Sequence, residues 1–102
     1  KVILCESGIR TYENYTRNTM DIAAISFLKN MTHLPIIADP SHATGNKNLI
    51  KDLSKASFVA GSDGVMIETH INPNSAWSDA RQSIDIETLN DILNWISNNR
   101  IK

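Results

Sequence analysis

The stretch Leu34-Pro35-Ile36-Ile37-Ala38-Asp39-Pro40-Ser41-His42-Ala43-Thr44-Gly45 changes character in its middle. An apolar run too short for a helix gives way to an acid, a proline, a hydroxyl and an imidazole. Residues 36–38, with Leu34 as the earliest start, read as a buried strand: apolar without strict alternation, the pattern of a parallel sheet covered on both faces. The polar connection that follows, residues 39–47, leaves the C-terminal end of that strand, where parallel α/β folds hold their chemistry.

Working outward, residues 2–5 and 64–67 repeat the same short apolar pattern. Helical patterns separate and follow these runs. In the first, Asn18 or Thr19 can cap, Asp21 falls in the first turn, and Ile22, Ile25 and Leu28 share a face. In the second, Leu49, Leu53, Ala56 and Ala60 form the stripe and Gly61 supplies a left-handed stop. In the third, Asp85 caps and Ile86, Leu89, Leu93 and Ile96 form the stripe. Strand starts at Val2, Ile36 and Val65 are 34 and 29 residues apart, close to the roughly 30 of a strand–helix–strand unit.

The order is therefore βαβαβα, an α/β fold with parallel pairing. Connections entering the strands (residues 30–33 and 61–63) are short. Those leaving them (6–17, 39–47 and 68–83) are long and polar. The whole chain, residues 1–102, reads as a partial TIM-barrel domain with no second domain, three strand–helix units of a barrel that needs about 250 residues. Either the rest of the barrel lies outside this chain or the piece assembles with others, and a small free-standing three-strand sandwich is the less favoured third option.

Composition narrows the function. A formal charge of −1 speaks against a nucleic-acid or membrane-surface partner, since either favours a basic excess. One cysteine, Cys5, cannot close an internal disulfide, which fits a reducing, cytoplasmic setting. Its default reading is a buried thiol. No apolar run approaches the roughly 18 residues of a membrane helix, and residues 1–6 are too short and too acidic for a leader.

The candidate chemistry gathers at the strand ends. His42 follows the second strand, Glu68 ends the third, and Asp79 lies further along the same loop. Neighbouring strand ends lie about 5 Å apart, so His42 and Glu68 can point at one centre. An imidazole with carboxylates suits Mn, Fe or Zn. The residues alone fit a plainer reading at least as well, a loop histidine and two solvated acids. His70 is a rival ligand, more readily a rim histidine. His33, before Leu34-Pro35, sits at the opposite end. Arg10 and Thr11 bring a cation and a hydroxyl to the rim, and Arg10 with Arg17 could hold a phosphate or carboxylate. Phosphate-loop, dinucleotide and nucleophile-elbow patterns are absent.

Several strings together resemble one family. Leu4-Cys5-Glu6 with Gly8-Ile9-Arg10-Thr11-Tyr12-Glu13 and Thr16-Arg17-Asn18-Thr19-Met20-Asp21 resembles the sixth strand and loop of 3-deoxy-D-arabino-heptulosonate-7-phosphate (DAHP) synthases, in the subgroup related to 3-deoxy-D-manno-octulosonate-8-phosphate synthases. Asp39-Pro40-Ser41-His42-Ala43-Thr44-Gly45 is similar to the seventh-strand motif. Gly64-Val65-Met66-Ile67-Glu68, Asn72-Pro73 and Ser78-Asp79 are similar to the eighth strand and metal loop. The resemblance runs from Val2 to about Ile96.

The resemblance implies a cytoplasmic TIM-barrel transferase of which this is the C-terminal part. It would condense phosphoenolpyruvate with erythrose 4-phosphate, the first step of the shikimate pathway to aromatic amino acids. The same resemblance implies a divalent metal (Mn, Fe or Zn) held by His42, Glu68 and Asp79 with a cysteine other than Cys5. Asp39 and His42 are then the expected catalytic pair, Arg10 and Thr11 the expected substrate contacts, and a homo-oligomer of the full-length protein the expected assembly. Ser7 departs from the family pattern, standing where an arginine that binds phosphoenolpyruvate is usual. The alternatives are a related synthase using arabinose 5-phosphate and a catalytically inactive fragment or assembly module.

Overall fold

Three short strands, β1 (Leu4–Glu6), β2 (Ile36–Ala38) and β3 (Gly64–Val65), form an all-parallel sheet in the order β1-β2-β3. Leu4 pairs with Ile36 and Ala38 with Val65, so the helix-facing residues of all three strands fall in step. The structure is a computed structural model that describes residues 1–73 and 82–100. Among the described residues no helix is long and apolar enough to cross a membrane.

Two helices cover one face of the sheet. α1 (Ile22–Met31) presents Ile22, Ile25 and Leu28, as the spacing predicts, and Ile25 is fully buried against Ile36 and Ala38. Its cap is Asp21, whose carboxylate accepts from the Ala24 N–H, rather than Asn18 or Thr19. Those two residues are held instead in the preceding loop, where the Asn18 N–H reaches the Ala43 carbonyl and Thr19 bridges Ile9.

α3 (Ile50–Ala60) also packs on the sheet and ends at Gly61, which takes φ of 111° and closes the helix in the left-handed region as expected. Its inward face differs from the expected stripe. Ile50, Ser54 and Ser57 are buried while Ala56 is exposed. Ser57 behaves as an interior residue because its hydroxyl donates back to the Leu53 carbonyl, needing no water.

α4 (Ile86–Asn98) begins at Asp85, whose carboxylate accepts from the Thr88 N–H. Its buried centre is Ile92, packed with Ile50 and Ile84 and flanked by Leu89 and Ile96. Ile86 and Leu93, expected in the stripe, are exposed. The Trp95 ring meets Phe58 of α3 edge-on at 5.8 Å, with Lys55 over its face, which ties α4 to α3.

The opposite face of the sheet is less covered. Cys5 is exposed rather than buried, and Ile37 is half-buried. The expectation of burial on both faces holds for one face of this chain.

Asp63 anchors the entrance to the sheet. Its N–H donates to the Ile36 carbonyl, and its carboxylate accepts from the Ile36 N–H at 2.8 Å and pairs with Lys29 at 2.9 Å. Hydrogen bonding from Lys29, then from the Ile36 N–H, holds this carboxyl below its ordinary value of 3.8.

Candidate metal centre at the strand ends

The chain leaves β2 through Asp39 into a short helix, α2 (Pro40–Thr44), where the sequence reads as a loop. Five residues are too few to show helical periodicity, but the punctuation is present: an acid at the cap, proline at the first position and glycine after the end. Pro40 cannot donate to a strand ladder, so β2 stops at Ala38 and the chain coils at once.

Asp39 does two things. Its Oδ1 accepts the His42 backbone N–H at 3.0 Å, capping α2, and its Oδ2 lies 2.7 Å from His42 Nδ1. The Ser7 hydroxyl donates to the same Oδ2 at 3.3 Å. The Asp39 side chain is only 5% exposed, so it is fixed on every side, whereas the His42 ring stays 42% exposed and open to solvent.

β3 is shorter than the expected 64–67, and Glu68 lies beyond it rather than at its end. With β2 already turned into α2, no strand remains to pair with Glu68. Its backbone N–H instead donates to the buried Ser41 hydroxyl of α2 at 3.0 Å. That bond sets Glu68 beside the helix that carries His42. Glu68 Oε1 then lies 2.5 Å from His42 Nε2. The adjacency expected from the strand ends is present, built by a side-chain brace and not by strand pairing.

The segment before α4 completes this corner. The Ile84 N–H donates to the Glu68 carbonyl and the His70 N–H to the Ile84 carbonyl, both at 3.0 Å, so residues 83–85 run parallel beside 68–70. Buried Gln82 directs its Nε2 to Glu68 Oε1 at 3.2 Å. Neither Ser41 nor Gln82 is singled out by the sequence. Serine and glutamine carry no burial signal of their own, and the contacts depend on segments far apart in the chain.

The remaining candidates divide. Asp79 lies outside the described residues. His70 is engaged locally, its Nδ1 accepting the Asn72 N–H. Arg10 and Thr11 are both exposed on the loop after β1. Thr11 Oγ1 sits 2.6 Å from Thr19 Oγ1, and no hydrogen bond or ion pair joins Arg10 to His42 or Glu68. That loop nonetheless belongs to the same rim: its Arg17 and Asn18 N–H groups donate to the Thr44 and Ala43 carbonyls of α2. Glu6 ties it to β1, its Oε2 accepting from the Gly8 and Asp21 N–H groups at 2.9 and 3.1 Å.

Among the described residues no group of three His, Cys, Asp or Glu side chains is disposed to hold a metal ion; the converging donors are His42 Nε2 and Glu68 Oε1. Their chemistry suits a borderline divalent cation. Asp39 Oδ2 can accept a proton from His42 Nδ1, and in that tautomer Nε2 is the nitrogen free to ligate a cation.

A family model described as the DAHP synthetase I family matches residues 1–101. This chain belongs to the DAHP synthetase I family. It is 45% identical over 93 residues to the phospho-2-dehydro-3-deoxyheptonate aldolase of Thermotoga maritima, covering 91% of this chain and 28% of that protein. A more distant family likeness is the 2-dehydro-3-deoxyphosphooctonate aldolase of Desulfosudis oleivorans, 28% identical over 90 residues, with 78% of this chain and 32% of that protein covered. Among solved structures, the truncated 3-deoxy-D-arabino-heptulosonate 7-phosphate synthase from Thermotoga maritima superposes with a TM-score of 0.91 at 43% identity, covering 94% of this chain and 37% of that one. The chain thus spans about a third of the length of these relatives.

Proposed function

We propose that this chain supplies the last three strand–helix units of a (β/α)8 barrel that condenses phosphoenolpyruvate with erythrose 4-phosphate, giving DAHP and inorganic phosphate. The likeness to the Thermotoga enzyme at 45% identity supports this substrate pair over arabinose 5-phosphate. The observation that carries the chemical reading is His42 held between two carboxylates, Asp39 at Nδ1 and Glu68 at Nε2.

In this reading His42 and Glu68 hold a divalent Mn, Fe or Zn ion, with Asp79 as a further ligand. An ion held there would supply Lewis acidity toward the aldehyde oxygen of the sugar phosphate. Asp39 keeps the proton on Nδ1 of His42 and fixes the ring plane through its second bond to the backbone. Ser41 holds the Glu68 main chain at the helix. Arg10 and Thr11, exposed on the neighbouring loop, offer a guanidinium and a hydroxyl to a substrate phosphate or carboxylate.

The carbon–carbon bond forms between C3 of phosphoenolpyruvate and the aldehyde carbon. Water adds at C2, and the C–O bond to phosphate breaks. Ser7 contributes a neutral hydroxyl to this rim and orients Asp39 instead of offering a positive charge to an anion.

The test is phosphate release from phosphoenolpyruvate plus erythrose 4-phosphate in the presence of Mn²⁺, with arabinose 5-phosphate as the competing aldehyde. Release specific to erythrose 4-phosphate and lost in His42→Ala is expected. Release with arabinose 5-phosphate alone would move the assignment to the octulosonate branch, and no release with either aldehyde would favour an inactive module.

A further inference from the structure

A buried glutamine amide is costly to place unless both of its ends find partners. Gln82 is fully buried, yet its Oε1 makes no hydrogen bond among the described residues. Its Nε2 makes one, to Glu68 Oε1 at 3.2 Å. An apolar side chain of similar volume would fill the site without an orphaned carbonyl. The half-satisfied amide therefore has a poor structural rationale and a directional one: it presents a donor to a single carboxylate oxygen.

That oxygen is the one that faces His42 Nε2 at 2.5 Å. The backbone around Gln82 does not depend on the amide, because the Ile84 N–H and carbonyl bond the Glu68 carbonyl and the His70 N–H. A neutral donor suits the position. It can hold a carboxylate rotamer without bringing a positive charge against a cation that the same oxygen would bind.

We infer that Gln82 is a positioning residue that fixes the Glu68 carboxylate toward His42 for divalent-metal binding. This rests on the metal reading of His42 and Glu68 given above. The amide would restrict the carboxylate before the ion arrives, so removing it should weaken metal affinity while leaving the fold in place.

The experiment measures Mn²⁺ affinity directly, by calorimetry or by the spin resonance of free Mn²⁺, together with the melting temperature of the metal-free protein. Gln82→Met keeps the volume and removes the donor. It is expected to weaken Mn²⁺ binding by about 10- to 100-fold with little change in melting temperature. Gln82→Asn keeps a buried amide but withdraws its nitrogen, and carries the same expectation should the methionine variant fail to fold. Affinity within about twofold of the unsubstituted protein in a folded variant would overturn the inference. His42→Ala separates the two levels of the argument. If it abolishes Mn²⁺ binding while folded Gln82 variants do not weaken it, only the role of Gln82 fails. If it leaves Mn²⁺ binding unchanged, the metal reading fails and the role of Gln82 with it.

Discussion

Asp39 grips His42 at two points, its Oδ1 accepting the His42 backbone N–H at 3.0 Å and its Oδ2 meeting ring Nδ1 at 2.7 Å. One carboxylate therefore both starts a helix and orients an imidazole. The two tasks separate by mutation. Asp39→Asn keeps an oxygen for the cap but offers the ring an amide, so the imidazole proton can shift to Nε2 and block that lone pair. Metal affinity should fall by about 10- to 100-fold with stability nearly unchanged. Asp39→Ala should lose a further 0.5–2 kcal/mol or so of stability through the missing cap. Calorimetric metal titration and urea unfolding of the two variants check both parts.

Asp63 makes the fold acid-sensitive. Its folded pKa lies below the ordinary 3.8, first because of the Lys29 hydrogen bond and then because of the Ile36 N–H. A depressed carboxylate contributes stability that is complete above the unfolded pKa and is lost as pH falls through the folded one. The partners are 33% and 42% exposed, so screening limits the pair to about 0.2–1 kcal/mol near neutral pH. Asp63→Asn should lower the neutral-pH urea midpoint slightly and flatten its decline below about pH 4. An unchanged acid slope in the variant would remove Asp63 from the account.

Gly8 allows two loops to touch. It takes φ of 104°, and a Cβ there would lie 2.8 Å from Asn18 Cβ and 3.0 Å from Ala43 Cα. Strain and backbone contact act together, so Gly8→Ala should cost about 1–3 kcal/mol or more. Because Ala43 belongs to α2, the substitution should also disturb His42. Thermal unfolding and metal titration of the same sample would show both losses, and a variant as stable as the parent would contradict the close approach.

Ile92 holds the last helix to the body. It is fully buried with Ile50 and Ile84. Ile92→Ala should cost about 2–5 kcal/mol, while Leu93→Ala, at a half-exposed neighbour, should cost far less. Denaturant unfolding of the pair decides which residue faces inward.

That pair also shows where sequence reading stops. Along α4, apolar residues occupy adjacent positions, and Ile86 and Leu93 compete with Ile92 for the interior. Ile50 and Ile84, distant in the chain, settle the choice. In α3 the rule that serines face water misplaces the stripe, since Ser57 satisfies itself on Leu53 and goes inside. In α1 the expected stripe of Ile22, Ile25 and Leu28 does face the core, although Phe27 and Met31 offer a second apolar face that stays exposed. At the site, the closeness of His42 and Glu68 could be read from the ends of adjacent strands. The means could not: it needs α2, whose five residues show no period, and Ser41, whose bond crosses to a segment 27 residues away.

The central claim is that His42, set between Asp39 and Glu68, serves a metal-dependent condensation. The most direct measurement is Mn²⁺-dependent phosphate release from phosphoenolpyruvate plus erythrose 4-phosphate, compared between the protein and its His42→Ala variant with the fold of each checked by circular dichroism. Release in the former and its loss in a folded variant are expected. Release that persists at the same rate without His42 would contradict it.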